Sequence, residues 1–347
     1  MAVLKFNDMN WNLIGHEWAV KLLQEHIKHD GVRHAYLFTG PTGIGRRTLA
    51  LRFAQALNCP TPLSPGEPCL VCRTCNQIQR MEQVDLHIVK KPEDRTQIIV
   101  DQMRELQYLL MLSPHESRYK IALILNFEQS SDEAQNAFLK TLEEAPPRAI
   151  LLLHAESPES LLPTIASRCE IVRLRPLGIQ EVANRLISFR NLTPEKASEF
   201  AHISAGRPGL AIAYLENTEL YEKRIENIND FFELSHSNLQ TRFNYARVKT
   251  DYSRRRTREE REMMRAEIGW QFQTWILLWR DVLQLSSGSH GELINLDFKD
   301  ELSRLSRSIK LDSITRHILD LQESLFRLNN TNLQLEMEVQ LLDFPRL

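Results

Sequence analysis

Short apolar runs alternate with stretches of helical periodicity over the first half of the chain, and this alternation constrains the fold more than any other feature. Ala35–Thr39, Leu86–Val89, Lys120–Leu125, Ala149–His154 and Glu170–Leu174 have the length and character of buried strands. Between them, Arg46–Leu57, Val100–Leu112, Asp132–Glu144 and Pro158–Ala166 repeat apolar residues at the spacing of a helix. Strands joined through helices pair in parallel, so the pattern predicts an α/β fold with a parallel sheet covered on both faces. Ligands of such sheets bind at the carboxyl ends of the strands.

After Arg175-Pro176 the strand pattern stops. Ile179–Ser188 and Glu195–Ser204 read as helices, Gly206-Arg207-Pro208-Gly209 interrupts, and from about Glu216 onward the pattern is helical. Phe272, Trp275, Trp279 and Val282 fall on one face and predict a packing seam. Arg254–Arg265 mixes Arg with Glu and predicts a solvated helix face. A chain of 347 residues is too long for one core, so two or three domains are expected.

The formal net charge of −2 argues against a dedicated nucleic-acid binder, so any DNA contact should be local or shared with other subunits. The helix Val100–Leu112, with Arg104, is compatible with facing DNA or with simple packing on the sheet. Runs such as Ile121–Leu125 are far too short to cross a bilayer, and Met1–Asp8 lacks the long apolar core of a secretory signal. A cytoplasmic protein with no membrane partner is expected.

Gly40-Pro-Thr-Gly-Ile-Gly45 follows the first strand and opens a helix, which is the place of a phosphate-binding P-loop. Gly40, Gly43 and Gly45 would let backbone N–H groups cradle phosphate at the positive end of that helix. A working loop continues with Lys, then Ser or Thr; here Arg46 and Arg47 occupy those positions. Arg46 keeps the charge but is not an equivalent point charge, and Arg47 cannot ligate Mg²⁺. Thr48 carries its hydroxyl one residue late, about 100° around the helix. The strand Tyr119–Leu125 should end in paired acids, yet Leu125 and Asn126 stand there, and Glu128 lies beyond the strand. Hydrolysis is not expected of this site; binding without hydrolysis and an empty remnant loop both stay open.

Cys59, Cys69, Cys72 and Cys75 fall within a short span, the last three as Cys-x-x-Cys-x-x-Cys. Four thiolates so placed match a tetrahedral zinc site, and with no His or carboxylate to leave a position open the metal would be structural. It would clip the insertion after Leu57 into a knuckle, with Arg73 and Arg80 the only basic residues nearby. The fifth cysteine, Cys169, reads as a buried thiol.

Together these pieces resemble the bacterial DNA polymerase III clamp-loader subunits of the AAA+ class. The resemblance is carried by Ile14-Gly15-His16 with Arg33–Phe38, by the cysteine insertion directly after the P-loop helix, by Asn136–Glu144, and by Ser167-Arg168-Cys169 within Leu162–Cys169. It is strong over roughly residues 10–215 and rests on helical character alone beyond. It implies a five-stranded AAA+ domain over residues 1–175 with a zinc module at 58–80, a helical lid over 176–215, and a C-terminal helical collar over 216–347. It also implies a hetero-pentamer with gamma/tau-type motor subunits and a delta subunit, loading a sliding clamp onto primer-template DNA. Within that family the missing Lys, hydroxyl and acids fit the non-hydrolysing delta-prime type; the alternative is an active gamma/tau-type ATPase. Arg168 would then act in trans as an arginine finger on a neighbouring motor's ATP. The place of a nucleotide-sensing lid Arg is taken by Gly209, with Arg207 two residues earlier, and the sensor position after the fourth strand by Ala155 or Glu156.

Overall fold

The computed structural model describes residues 11–92, 95, 97–251, 257–289, 291–328 and 331–345. The N-terminal segment read above for a signal, and residues 254–256 of the mixed-charge stretch, lie outside the described residues. The chain divides into two units. The first holds residues 1–185 with 207–210, and the second holds 186–206 with 211–347.

The first unit opens with α1 (Glu17–Lys28), β1 (Ala35–Thr39) and α2 (Arg46–Asn58), then α3 (Arg73–Arg80), β2 (Leu86–Val89) and α4 (Val100–Met111). It continues with β3 (Lys120–Ile124), α5 (Asp132–Glu143), β4 (Ala149–Ala155), α6 (Pro163–Ala166) and β5 (Glu170–Arg173). The five strands form one sheet in the order β2-β3-β4-β1-β5, and every pairing is parallel. β1, β3 and β4 are buried along their whole length, which is why their sequences read as unbroken apolar runs rather than alternating ones.

The period of two along each strand splits these residues between two cores. Tyr36, Phe38, Ile121, Leu123, Ile150 and Leu152 pack with Leu23, Leu49 and Phe53 of α1 and α2 on one face. Leu37, Ala122, Ile124, Leu151 and Leu153 pack with Met103, Leu106, Phe138 and Leu142 of α4 and α5 on the other. Each fully buried large side chain contributes about 1.5–3 kcal/mol, so the central strands anchor the unit. On α4 the buried residues turn to the sheet while Arg104 is exposed.

The helix expected over Pro158–Ala166 is divided. Pro158–Ser160 is a single 3-10 turn, Leu162 is extended at ψ 133°, and α6 starts afresh at Pro163. Proline disfavours helical geometry at the residue before it and suits the first helical position, so the break falls there.

α7 (Ile179–Arg190), α8 (Pro194–Ile203) and α9 (Pro208–Glu216) follow, and the boundary between units passes through α7 and α9. The rest of the second unit is helical: α10 (Thr218–His236), α11 (Leu239–Lys249), α12 (Arg258–Ser286), α13 (Lys299–Ser308), α14 (Leu311–Arg327) and α15 (Leu333–Leu342). Phe272, Trp275, Trp279 and Val282 of α12 are all fully buried, as their spacing predicts. Phe231 meets Trp279 and Phe344 edge-on at 5.1 Å centroid separation in each case, which ties α10, α12 and the chain's end into one aromatic core. Among the described residues no helix is long and apolar enough to cross a membrane.

Candidate functional site

The glycine loop leaves the carboxyl end of β1, the strand flanked by β4 and β5. Gly40 N–H donates to Glu156 O at 3.0 Å, and Thr42 Oγ1 donates to Glu156 Oε1 at 2.9 Å, so the loop is tied to the residue that follows β4. His16 Nε2 meets Ile44 O at 3.1 Å from the other side. Gly45 caps α2 at φ 110° with no side-chain hydrogen bond, leaving the first N–H groups of α2 without a capping oxygen.

The loop also seats the start of α9. Leu210 N–H donates to Gly43 O at 3.1 Å, and Arg207 Nη1 reaches Thr42 O at 3.4 Å. A Cβ on Gly209 would stand 2.8 Å from Gly43 O, and one on Gly43 would stand 2.7 Å from Leu210 Cβ. Both glycines are therefore required by close backbone approach.

Arg46 is only 4% exposed. Its guanidinium is held below its ordinary pKa by burial, against the opposing charges of Glu128 and Glu156. Glu128 sits in a one-turn 3-10 helix, Phe127–Gln129, just past β3. Burial pushes its carboxyl up to about 7, against the pull of its own backbone N–H and of Arg46. Arg46 Nη1 and Glu128 Oε2 are both buried with no hydrogen-bond partner among the described residues. His154, at the end of β4, accepts the Asn126 N–H on Nδ1 at 3.1 Å; burial, then the Arg46 charge, push it down to about 3, so it is a neutral imidazole. Arg47 and Thr48 are exposed on α2, with Arg47 Nη2 reaching Met81 Sδ at 3.4 Å.

Glu128 is the residue that sequence reasoning set aside and the structure brings into the site. The signal was Phe127, an apolar residue just past β3 that is buried in the core next to it.

Arg168 follows α6 and is engaged elsewhere. Its Nη1 donates to Thr164 O at 2.8 Å and its Nη2 pairs with Glu143 Oε1 at 2.5 Å, with a third of the side chain exposed. Ser167 Oγ closes the turn on Thr164 O at 3.1 Å. Burial pushes the Cys169 thiol up to about 12, which keeps it protonated and inert.

The sulfurs of Cys59, Cys69, Cys72 and Cys75 all lie within 4.8 Å of one another. Cys59 Sγ stands 3.5 Å from Cys69 Sγ and 4.0 Å from Cys72 Sγ. A tetrahedron of thiolates about 2.3 Å from zinc has edges of about 3.8 Å, so the cluster already has the size of a zinc site. Backbone N–H groups of Cys69, Cys72 and Cys75 point at the sulfurs of Cys59, Cys69 and Cys72 at 3.5, 3.3 and 3.4 Å, as acceptors carrying negative charge require. Burial raises the Cys69 thiol, but the Thr61 hydroxyl and the Val71 and Cys72 N–H groups outweigh it and bring it down to about 6. The four cysteines are thus compatible with a structural zinc, which would be held by their thiolates and would tie α3 to the end of α2.

A five-stranded parallel sheet with β1 between β4 and β5, a glycine loop at its carboxyl end and a helical continuation define a P-loop fold of the AAA+ type. A family model described as DNA polymerase III, delta subunit, matches residues 15–178. The chain is 30% identical over 322 residues to DNA polymerase III subunit delta' of Bacillus subtilis, covering 92% of this chain and 93% of that protein. It is 38% identical over 136 residues to subunit delta' of Pseudomonas aeruginosa, covering 39% of this chain and 41% of that one. Subunit tau of Escherichia coli is 34% identical over 175 residues, half of this chain and 27% of that protein. The chain belongs to the delta-prime family of DNA polymerase III subunits, the clamp-loader family its motifs resemble.

Proposed function

We propose that this chain is a non-hydrolysing clamp-loader subunit that lends Arg168 to the ATP site of a neighbouring motor subunit. The observation that carries the reading is the composition of the glycine loop's surroundings. Arg47, Leu125 and Asn126 stand where a hydroxyl and paired carboxylates would hold Mg²⁺, and Arg46 is turned inward toward Glu128. Without a metal to bridge phosphate oxygens, phosphoryl transfer loses the positive charge that stabilises its transition state.

Arg168 suits the complementary role. Its guanidinium is planar, permanently charged and partly exposed, and its only carboxylate partner among the described residues, Glu143, is itself half-exposed. A neighbour's γ-phosphate outcompetes one such carboxylate because it carries more negative charge. The lid assignment over 176–215 and the collar over 216–347 belong to the same proposal, as do assembly into a hetero-pentamer with gamma/tau-type and delta subunits and the loading of a sliding clamp onto primed DNA.

The test is Arg168→Ala in an assembly reconstituted with motor subunits. ATP turnover at the adjacent site should fall by as much as about 10³–10⁵. Stability of the isolated chain should drop by less than about 1 kcal/mol, because the pair with Glu143 is solvent-accessible. An unchanged DNA-stimulated rate removes the finger role, and steady ATP consumption by the lone chain removes the non-hydrolysing one.

A further inference from the structure

Arg52 lies on α2, two turns after the glycine loop, and faces the cysteine cluster rather than the loop. Its Nη1 donates to Gln55 Oε1 at 2.8 Å and to Gln79 Oε1 of α3 at 3.0 Å. Gln55, 1% exposed, passes the contact on: its Nε2 donates to Cys75 O at 2.7 Å. Arg52 is half-buried, its Nε is buried with no hydrogen-bond partner among the described residues, and burial lowers its pKa against the opposing charge of Cys75. Cys75 is the one member of the cluster with no exposed surface, so water cannot screen its charge.

A half-buried guanidinium with one buried nitrogen left unpartnered is costly unless negative charge arrives from elsewhere. Zinc held by four thiolates supplies it, since two positive charges stand against four negative ones. We propose that Arg52 is a positioning residue for the metal of the cysteine cluster, offsetting the net negative charge of a zinc tetrathiolate and orienting Cys75 through Gln55 and Gln79. The proposal rests on the zinc reading of the cluster. It makes α2, which begins at the glycine loop, part of the metal's surroundings.

The experiment uses the full chain as wild type and as Arg52→Met, Arg52→Lys and Gln79→Ala. Zinc content comes first: about one ion per chain supports the zinc reading, and none sinks both it and the proposal. Zinc affinity is then measured by competition with a chromogenic chelator. Arg52→Met should weaken it about 10–100-fold, Arg52→Lys should recover part of the loss, and Gln79→Ala should show a smaller one. Cobalt substituted into Arg52→Met should keep the charge-transfer bands of a tetrathiolate, because the ligands themselves are intact. The unfolding midpoint should fall more in the zinc-loaded variant than in the metal-free one. Zinc affinity within twofold of wild type overturns the proposal while leaving the zinc reading intact. So does an equal loss of stability with and without metal, which would mark Arg52 as packing alone. Should Arg52→Met fail to fold, the comparison of Arg52→Lys and Gln79→Ala decides.

Discussion

Gly209→Ala tests whether the glycine loop is a seat for the start of α9, residues 208–210. The added methyl would stand 2.8 Å from Gly43 O and 3.4 Å from Gly43 C, and both are backbone atoms that cannot rotate aside. Either the loop or the start of α9 must move. Overpacking of this kind costs about 1–3 kcal/mol. Moving α9 also lengthens the Leu210 N–H to Gly43 O hydrogen bond beyond its 3.1 Å, a loss of about 0.5–1.5 kcal/mol. Against this, alanine in place of glycine in a helix gains about 0.5–1 kcal/mol. The expected net destabilisation is about 1–3 kcal/mol. Urea denaturation measures the total, and amide exchange at Leu210 reports the contact itself. Gly178→Ala is the control: a Cβ there meets nothing within 4 Å, so it should be neutral or slightly stabilising. If Gly209→Ala unfolds within about 0.5 kcal/mol of wild type and Leu210 exchanges at its original rate, the seat is not a real constraint.

The site carries a pH signature of definite sign. Glu128 has its folded pKa raised to about 7 from 4.5, so the stability it allows is complete below the lower value and lost as pH rises through the upper. Glu128→Gln should therefore gain on wild type between those limits, by on the order of 1–2 kcal/mol after solvent screening, and thermal melts across that range check it; parallel profiles would refute the burial of the carboxyl. In the second unit Arg242, 1% exposed, donates to the carbonyls of Leu234, Leu341, Phe344 and Pro345. Arg242→Met should cost about 3 kcal/mol or more by leaving these acceptors unpaired, with the first exchange losses at the chain's end, read by hydrogen exchange.

The strands of the first unit were legible because they are buried on both faces and so appear as continuous apolar runs; Ile121–Ile124 and Ala149–Ala155 needed no tertiary knowledge. The cysteine cluster was legible because metal ligation fixes spacing along the chain, and Cys72 serves at once as ligand candidate and as N-cap of α3. Contacts between residues far apart in sequence were not. Nothing local announces that Gly209 must be small, since its reason is the carbonyl of Gly43. Glu128 looks like an ordinary loop acid until Phe127 is seen locked in the core. Arg52 reads as one of the charged residues of an amphipathic helix, and only the fold links it through Gln55 to the carbonyl of Cys75. The break at Pro163 was visible in principle, but the apolar spacing around it argued for continuity.

The loop's persistence without its metal ligands has a physical explanation in these contacts. On the proposed non-hydrolysing role, positions that would only hold Mg²⁺ are free to change, and Arg47, Leu125 and Asn126 have side chains of other chemistry. The glycines answer to a different constraint. Gly43 has φ 83° and receives the start of α9, and Gly40 is bound to the residue after β4, so replacing either would disturb packing whether or not phosphate ever enters. The buried Arg46 and the Glu128 carboxyl lie close enough for the charge of each to favour the charged form of the other, although burial opposes both. The loop's backbone is thereby held in shape by packing contacts that do not depend on nucleotide.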